Sequence, residues 1–342
     1  MNVVLDEVYQ RMRGTSPEFG GWRSNHGPMA ADALIRLGRA DTVDRWVDRF
    51  LRKLEDAPRP RWRIEESEWR EVFGDPSRVS DWCAFFAEQV CETSWTELLA
   101  TWWPRLLPGS TTAATHGLIR TGHAVRAVAE DPTRERLGEL AQGLGYWAAR
   151  WQRDPHPNSP AGTSSPGQAL DAVPRVTGDG GVRTRIAETS RDDRWATAAE
   201  RLAPMTDPAA VPGALDALVD AAVDRYPHWA DTQPVMLVHM ATAPRAASLV
   251  VPHLPRSMWK ATYDQAWIAA ATIAGSYRPF QPDPVRVSLT EPDDVEGVID
   301  RVVASGDEHA IKFAAVALES FRRGNPGALA SAAVSVALID AE

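Results

Sequence analysis

The chain has 342 residues, 44% hydrophobic and 24% charged, the balance of a globular protein with room for one large domain or two ordinary ones. A formal charge of −9 and the lack of any Lys/Arg-rich block exclude broad nucleic-acid binding. No run approaches the roughly 18 apolar residues that span a bilayer, and residues 1–6 read as the start of a helix and not as a basic-then-apolar leader. The expectation is a cytoplasmic protein without membrane partners.

In chain order, residues 1–14 predict a short helix closed by Gly14. Ser24-Asn25-His26-Gly27-Pro28-Met29 opens a second helix: Ser24 or Asn25 suits the cap, Pro28 the first turn, and Gly38 ends it. His26 thus lies beside a helix N-terminus, where the positive dipole end keeps the ring neutral and suited to ligation; local capping is its plainer role. Val43, Trp46, Val47, Phe50, Leu51 and Leu54 predict an amphipathic helix over 41–57, broken by Pro58-Arg59-Pro60. One long helix is predicted over 79–103, ended by Pro104 and Pro108-Gly109. It carries Cys83 and Cys91, whose spacing fits neither a zinc site nor a disulfide framework and reads as buried reduced thiols. The fourteen tryptophans are read as core, with several available to line an aromatic cavity.

The next helix is expected from Ser110 and Thr111 onward, with His116, Arg120 and His123 at i, i+4 and i+7 on one face. Gly117 and Gly122 inside it each cost about 1 kcal/mol relative to alanine, which something bulky packed against them would explain. A polar surface face is the other explanation of the pattern. After a helix over 133–151, residues 154–185 look irregular: a loop, a lid or a linker, with His156 exposed in it. Helices over 191–203 and 212–225 follow. His239 stands in Pro234 to Thr242, a run too apolar for a surface element, whereas His228 and His253 sit in proline-flanked turns and look peripheral. A long helix over 256–277 supplies pocket wall, and helices over 293–305, 307–321 and 326–338 complete the chain. No alternating strand pattern, P-loop, GxGxxG or Gly-x-Ser-x-Gly elbow occurs. The fold is therefore predicted to be all-α, one multi-helical domain over 1–342 with a central pocket between helices.

The strongest chemical signal is Asp307-Glu308-His309-Ala310-Ile311-Lys312-Phe313. His309 and Lys312, three apart, share a face of an apolar helix. Lys53, Lys260 and Lys312 are the only lysines among 37 basic residues. A lysine kept between Ile311 and Phe313 suits a site that needs a neutral amine, which arginine cannot supply; a side chain snorkelling to solvent is the alternative. His26, His116 or His123, His239, and His309 with Lys312 thus come from four helices. Helical domains build metal sites from such inward-facing residues, and imidazole suits Fe, Zn, Cu or Ni.

Ser24 to Met29, Leu107-Pro108-Gly109 through His116-Gly117-Leu118-Ile119-Arg120-Thr121-Gly122-His123-Ala124, Val238-His239-Met240-Ala241-Thr242 and His309-Ala310-Ile311-Lys312 together resemble the questin oxidase-like family, in order and over nearly the whole chain. The resemblance implies an all-helical oxygenase, with O2 as co-substrate, that opens a ring of an anthraquinone-like or other polycyclic aromatic polyketide. For iron-dependent members it implies non-haem Fe(II) held by four histidines and a carboxylated lysine: here His26, His116, His239 and His309, with a CO2-derived carbamate on Lys312. His123 falls where fungal relatives tend to have a non-ligand aromatic, which places it in the pocket or just behind the ligands. Met29 stands where they often carry another histidine. Arg120, one turn from His116, is assigned to steady an anionic intermediate or a substrate phenolate. The chemistry of the lysine is consistent: an ammonium has no lone pair to offer, burial lowers its pKa, and the neutral amine adds CO2. The alternatives are an NADPH-dependent Baeyer–Villiger monooxygenase, served by a separate reductase, and a non-catalytic helical protein that holds an aromatic ligand.

Overall fold

A computed structural model of the chain describes residues 3–21, 23–154, 160–176, 178, 180–281 and 295–339. The architecture is all-α, as expected. Helix α1 (Val3–Met12) buries Leu5, Val8, Tyr9 and Met12. A two-residue hairpin follows, β1 (Glu18–Phe19) antiparallel to β2 (Arg23–Ser24), turned through Gly20 and Gly21 at φ of 58° and 84°. Strands this short carry no alternation, so nothing in the sequence pattern announces them. Helix α2 (Gly27–Arg36) and helix α3 (Val43–Leu51) come next. The latter ends before the predicted limit, with Leu51 and Leu54 packed only at the edge of the core.

The helix predicted over 79–103 is two helices, α4 (Val79–Glu92) and α5 (Trp95–Leu106). The break is a capping box: the Glu97 N–H donates to Ser94 Oγ and the Ser94 N–H to the Glu97 carboxylate, each at 3.3 Å. Pro104 lies within α5 and does not end it. Cys83 is buried as expected but Cys91 is exposed; both are free thiols. Helix α6 (His116–Glu130) starts at its first histidine and not at Ser110, and α7 (Arg134–Arg150) is capped by Thr133. Within the stretch expected to be irregular, Ser165 and Gln168 form a second capping box that opens α8 (Pro166–Ala172). His156 lies outside the described residues. Helices α9 (Val182–Thr189), α10 (Asp193–Ala199), α11 (Val211–Trp229), α12 (Pro234–Leu237), α13 (His239–Val250), α14 (Trp259–Tyr277), α15 (Val295–Ser305), α16 (Glu308–Arg322) and α17 (Ala328–Ile339) complete the order. Helix α8 packs on α11 and buries Ala169 and Leu170 completely, so this part of the stretch is built into the body.

Two hydrophobic clusters hold the helices together. One is aromatic, centred on Trp82, Phe86, Trp102, Trp103 and Trp147 of α4, α5 and α7. The other is alanine- and aliphatic-rich and draws on α1–α3, α11 and α13–α17. Helices α6 and α13 contribute to both and run along the seam between them. The two glycines of α6 let it approach α13 and α7 closely. A Cβ on Gly122 would lie 2.7 Å from Ala246 Cβ and 2.8 Å from its backbone, and one on Gly117 would lie 2.5 Å from the Trp147 ring. The Trp147 ring against Gly117 is the bulky neighbour expected, whereas at Gly122 the close approach of the α13 backbone at Ala246 accounts for the glycine. Pro234–His253 is, among the described residues, the one helical run long and apolar enough to cross a membrane (mean hydropathy 1.3). His239 and Arg245 interrupt it, so a search for uninterrupted apolar residues passes over it. It is 72% buried within the fold.

Candidate metal centre

Each expected ligand is delivered by the start of a helix. His26 is the residue before α2, yet its ring makes no cap bond. Asn25 does that work instead: its Oδ1 accepts from the Gly27 N–H (3.0 Å), and its Nδ2 donates to Thr15 Oγ1 (3.0 Å) and the Ser16 carbonyl (3.1 Å). Ser24 is tied to Tyr146 by a 2.7 Å hydroxyl–hydroxyl bond. The ring of His26 is thereby left free to point inward.

His116 begins α6 after three successive residues in the left-handed region, Ala113, Ala114 and Thr115, with φ of 49°, 55° and 69°. For residues with a Cβ this conformation costs about 1–2 kcal/mol each. It brings the Ala113 carbonyl to 2.5 Å from His116 Nδ1. His239 begins α13 at a one-residue break after α12, and its Nδ1 meets the carbonyls of Val235 and Met236, both at 3.1 Å. His309 and Lys312 lie in the first turns of α16, whose cap Asp307 accepts from the N–H groups of His309 (2.7 Å) and Ala310 (3.0 Å).

The five side chains meet at the seam. Ring centroids of His26 lie 4.5 Å from those of both His116 and His309; His116 and His239 are 4.7 Å apart, and His239 and His309 5.9 Å. One nitrogen from each of His26, His116 and His309 falls within 4.8 Å of the others. Lys312 Nζ sits 2.6 Å from His26 Nδ1 and is 2% exposed, so it does not snorkel. Burial, reinforced by Lys312 and the neighbouring rings, holds His26, His116 and His239 well below the usual imidazole range. Burial likewise pushes the Lys312 amine down to about 8, against the opposing pull of Glu308 and Asp307.

One contact is left unsatisfied while the rings are neutral. The Nε2 atoms of His116 and His239 face each other at 3.1 Å. A carbonyl can only accept, so both Nδ1 atoms must carry the hydrogen, and in neutral rings both Nε2 atoms then present lone pairs. Two opposed lone pairs at that distance call for a cation between or beside them.

The two other expected site residues are engaged elsewhere. Arg120 makes a buried, two-pronged ion pair with Glu139 of α7, Nε to Oε1 at 2.6 Å and Nη2 to Oε2 at 2.9 Å. A guanidinium 4% exposed needs such a counter-charge. The pair engages Nε and Nη2 and leaves Nη1 without a hydrogen bond. His123 Nδ1 is bound at 2.7 Å to Asp32, a fully buried carboxylate that also receives Arg126 and Arg36. Burial works against its ionisation, but Arg126, His123 and Arg36 hold the Asp32 carboxyl well below the carboxylate range. Asp32 had a sequence signal, a lone acid in an otherwise apolar run from Met29 to Ile35; Glu139 had none. The side chains expected to surround a central pocket form a polar cluster inside the fold. A cleft of about 210 Å³ lies instead against α4, lined by Trp62, Ile64, Asp81 and Phe85, and holds none of the candidate ligands.

No family model and no curated protein matches the chain.

Proposed function

We propose that the chain is a non-haem iron oxygenase of the questin oxidase-like kind, with His26, His116, His239, His309 and a carbamate on Lys312 as the metal-binding set. The observation that carries the reading is the opposed Nε2 pair of His116 and His239. At 3.1 Å the two Nε2 atoms are near enough for one metal ion to be held by both. The donor set favours an ion of higher coordination, as iron is, over a tetrahedral zinc site.

Lys312 fits the same reading. Its amine has His26 Nδ1 as its hydrogen-bond partner, and an ammonium cannot ligate. With its pKa pushed down to about 8, a fraction of the amine is neutral near pH 7, attacks CO2 and releases one proton to solvent. The resulting carbamate supplies the negative charge that four imidazoles lack. The N-terminal ends of α2, α6, α13 and α16 all face the cluster, a setting that stabilises an anion on the lysine or on a phenolic substrate. Iron bound here would supply the one-electron chemistry that lets O2 attack an aromatic ring. The substrate class, an anthraquinone-like or related polycyclic aromatic polyketide, follows from the family resemblance alone.

Elemental analysis of protein purified without chelators tests the proposal, beside Lys312→Ala, His309→Ala and His239→Ala. The expected result is near-stoichiometric iron in the parent and its loss in all three variants, with O2 uptake on quinone addition only in the parent. Absence of metal in the parent, even after anaerobic Fe(II) addition, overturns it. Tight quinone retention without metal or O2 uptake would identify a helical binding protein instead.

A further inference from the structure

His116 can stand where the proposed metal site needs it only because residues 110–115 hold a costly shape. Three Cβ-bearing residues in succession in the left-handed region persist only where the surroundings over-determine them. The surroundings converge on one side chain. Asp154, 3% exposed and just beyond the end of α7, accepts at Oδ2 from Ser110 N–H (2.6 Å) and Ser110 Oγ (2.7 Å). Its Oδ1 accepts from Thr111 N–H (2.9 Å) and Thr111 Oγ1 (2.6 Å), and Gln265 of α14 donates to Oδ2 as well. The Asp154 N–H returns a 2.8 Å bond to the Pro108 carbonyl, and the Gln152 N–H donates to Thr112 Oγ1 at 3.0 Å. The carboxylate therefore grips the first two residues of a turn whose last three are left-handed and whose Ala113 carbonyl holds His116 Nδ1.

We propose that Asp154 is a positioning residue for the metal site: by fixing Ser110 and Thr111 it fixes the left-handed turn and, through the Ala113 carbonyl, the tautomer and aim of His116. The inference rests on the metal reading for its function. Burial pushes the Asp154 carboxyl up to about 6 despite its donors. Keeping it ionised at neutral pH thus lowers the stability of the fold, which suits a group retained for placement.

Asp154→Asn keeps the size but turns an NH2 toward groups that are themselves donors. Fe(II) or Co(II) affinity, measured by chelator competition, is expected to fall about 10- to 100-fold. Leu140→Ala, an equally buried change in α7 away from the turn, controls for lost stability and leaves affinity at the parent value. In a His116→Ala background, Asp154→Asn adds no further loss, because the aspartate acts only through that histidine. Parent-like affinity in Asp154→Asn, or additive losses in the double variant, overturns the inference. A second readout needs no metal: the 15N shifts of His116 in the metal-free protein report an Nδ1–H ring in the parent and a mixture of tautomers in Asp154→Asn. A parent that binds no metal sinks the metal reading, whereas an unchanged His116 signal in the variant sinks the positioning role, so the two failures are distinguishable.

Discussion

Arg120 stands one helical turn after His116 on α6, yet the two residues belong to buried polar regions built on opposite rules. Around Arg120, guanidinium meets carboxylate: Arg120 with Glu139, and Arg126 and Arg36 with Asp32, while Glu319 receives Arg126 and Arg245. Around His116 there are four imidazoles and an amine, two lone pairs opposed at 3.1 Å, and a His309 Nδ1 whose one acidic neighbour, Asp307, stands 3.5 Å away. The first region pairs every charge within the protein, although Arg120 Nη1 and Arg36 Nη2 make no hydrogen bond. The second sets its amine and its opposed lone pairs against no carboxylate in contact, and such a cluster of buried, unpaired ligating groups marks where something else binds.

The comparison breaks most forcefully at Glu139. Glu139→Ala leaves the Arg120 guanidinium buried without its counter-charge, which is expected to destabilise the fold by about 3–5 kcal/mol, read as a lower midpoint in urea unfolding. The folded fraction should bind metal as the parent does. Parallel loss of metal would show that the two regions are one.

Lys312→Met is expected to act in the opposite direction. A buried amine that titrates near 8 in place of 10.5 costs the fold about 3 kcal/mol while it is charged. Methionine is of similar length and belongs among Ile311, Phe313 and Ala314. The metal-free variant should therefore melt above the metal-free parent, and it should bind no iron. Destabilisation on this substitution would mean that the lysine is a structural group like Arg120.

Gly122→Ala sharpens the geometry. The added methyl would meet the backbone of Ala246, which cannot swing aside as a side-chain tip would. Overpacking of this kind costs about 1–3 kcal/mol, enough to outweigh alanine's better helix propensity of about 1 kcal/mol. Because it wedges α6 from α13, it should also widen the His116–His239 pair, so metal affinity falls together with the melting temperature. A loss of stability with unchanged affinity would separate seam packing from the site.

Most helix positions are legible because amphipathic periodicity and proline or glycine punctuation are local signals. The misplacements came from equally local chemistry that was passed over: the Ser94/Glu97 capping box that splits 79–106 and the Ser165/Gln168 box inside a stretch read as loop. The histidines and Lys312 stood out as polar groups in apolar helices, and the structure brings all five together. What sequence could not supply is the identity of partners across the fold. Arg120 and His116 share a phase on α6, and only the arrival of Glu139 from α7 and His239 from α13 decides which of them joins which region. Asp154 had no signal at all, since its function lies entirely in the turn of residues 110–115 that it grips.

The gentlest test follows from the lysine itself. In the metal-free parent, the folded amine releases its proton near pH 8 and the unfolded one near 10.5. Below 8 both states are protonated, and this group adds no slope. Between 8 and 10.5 the unfolded state binds the additional proton, so stability rises with pH by up to about 1.4 kcal/mol per pH unit and then levels off. Urea unfolding at intervals from pH 7.5 to 10.5 should show that rise as the difference between the parent and Lys312→Met, in which other titrating groups cancel. In metal-loaded parent the rise should begin below pH 8 and run through the whole range, because a lysine held as a carbamate carries no amine proton while the unfolded lysine regains one. A metal-loaded protein with no slope below pH 8 would place an unmodified amine in the site and leave the four histidines as the only protein ligands.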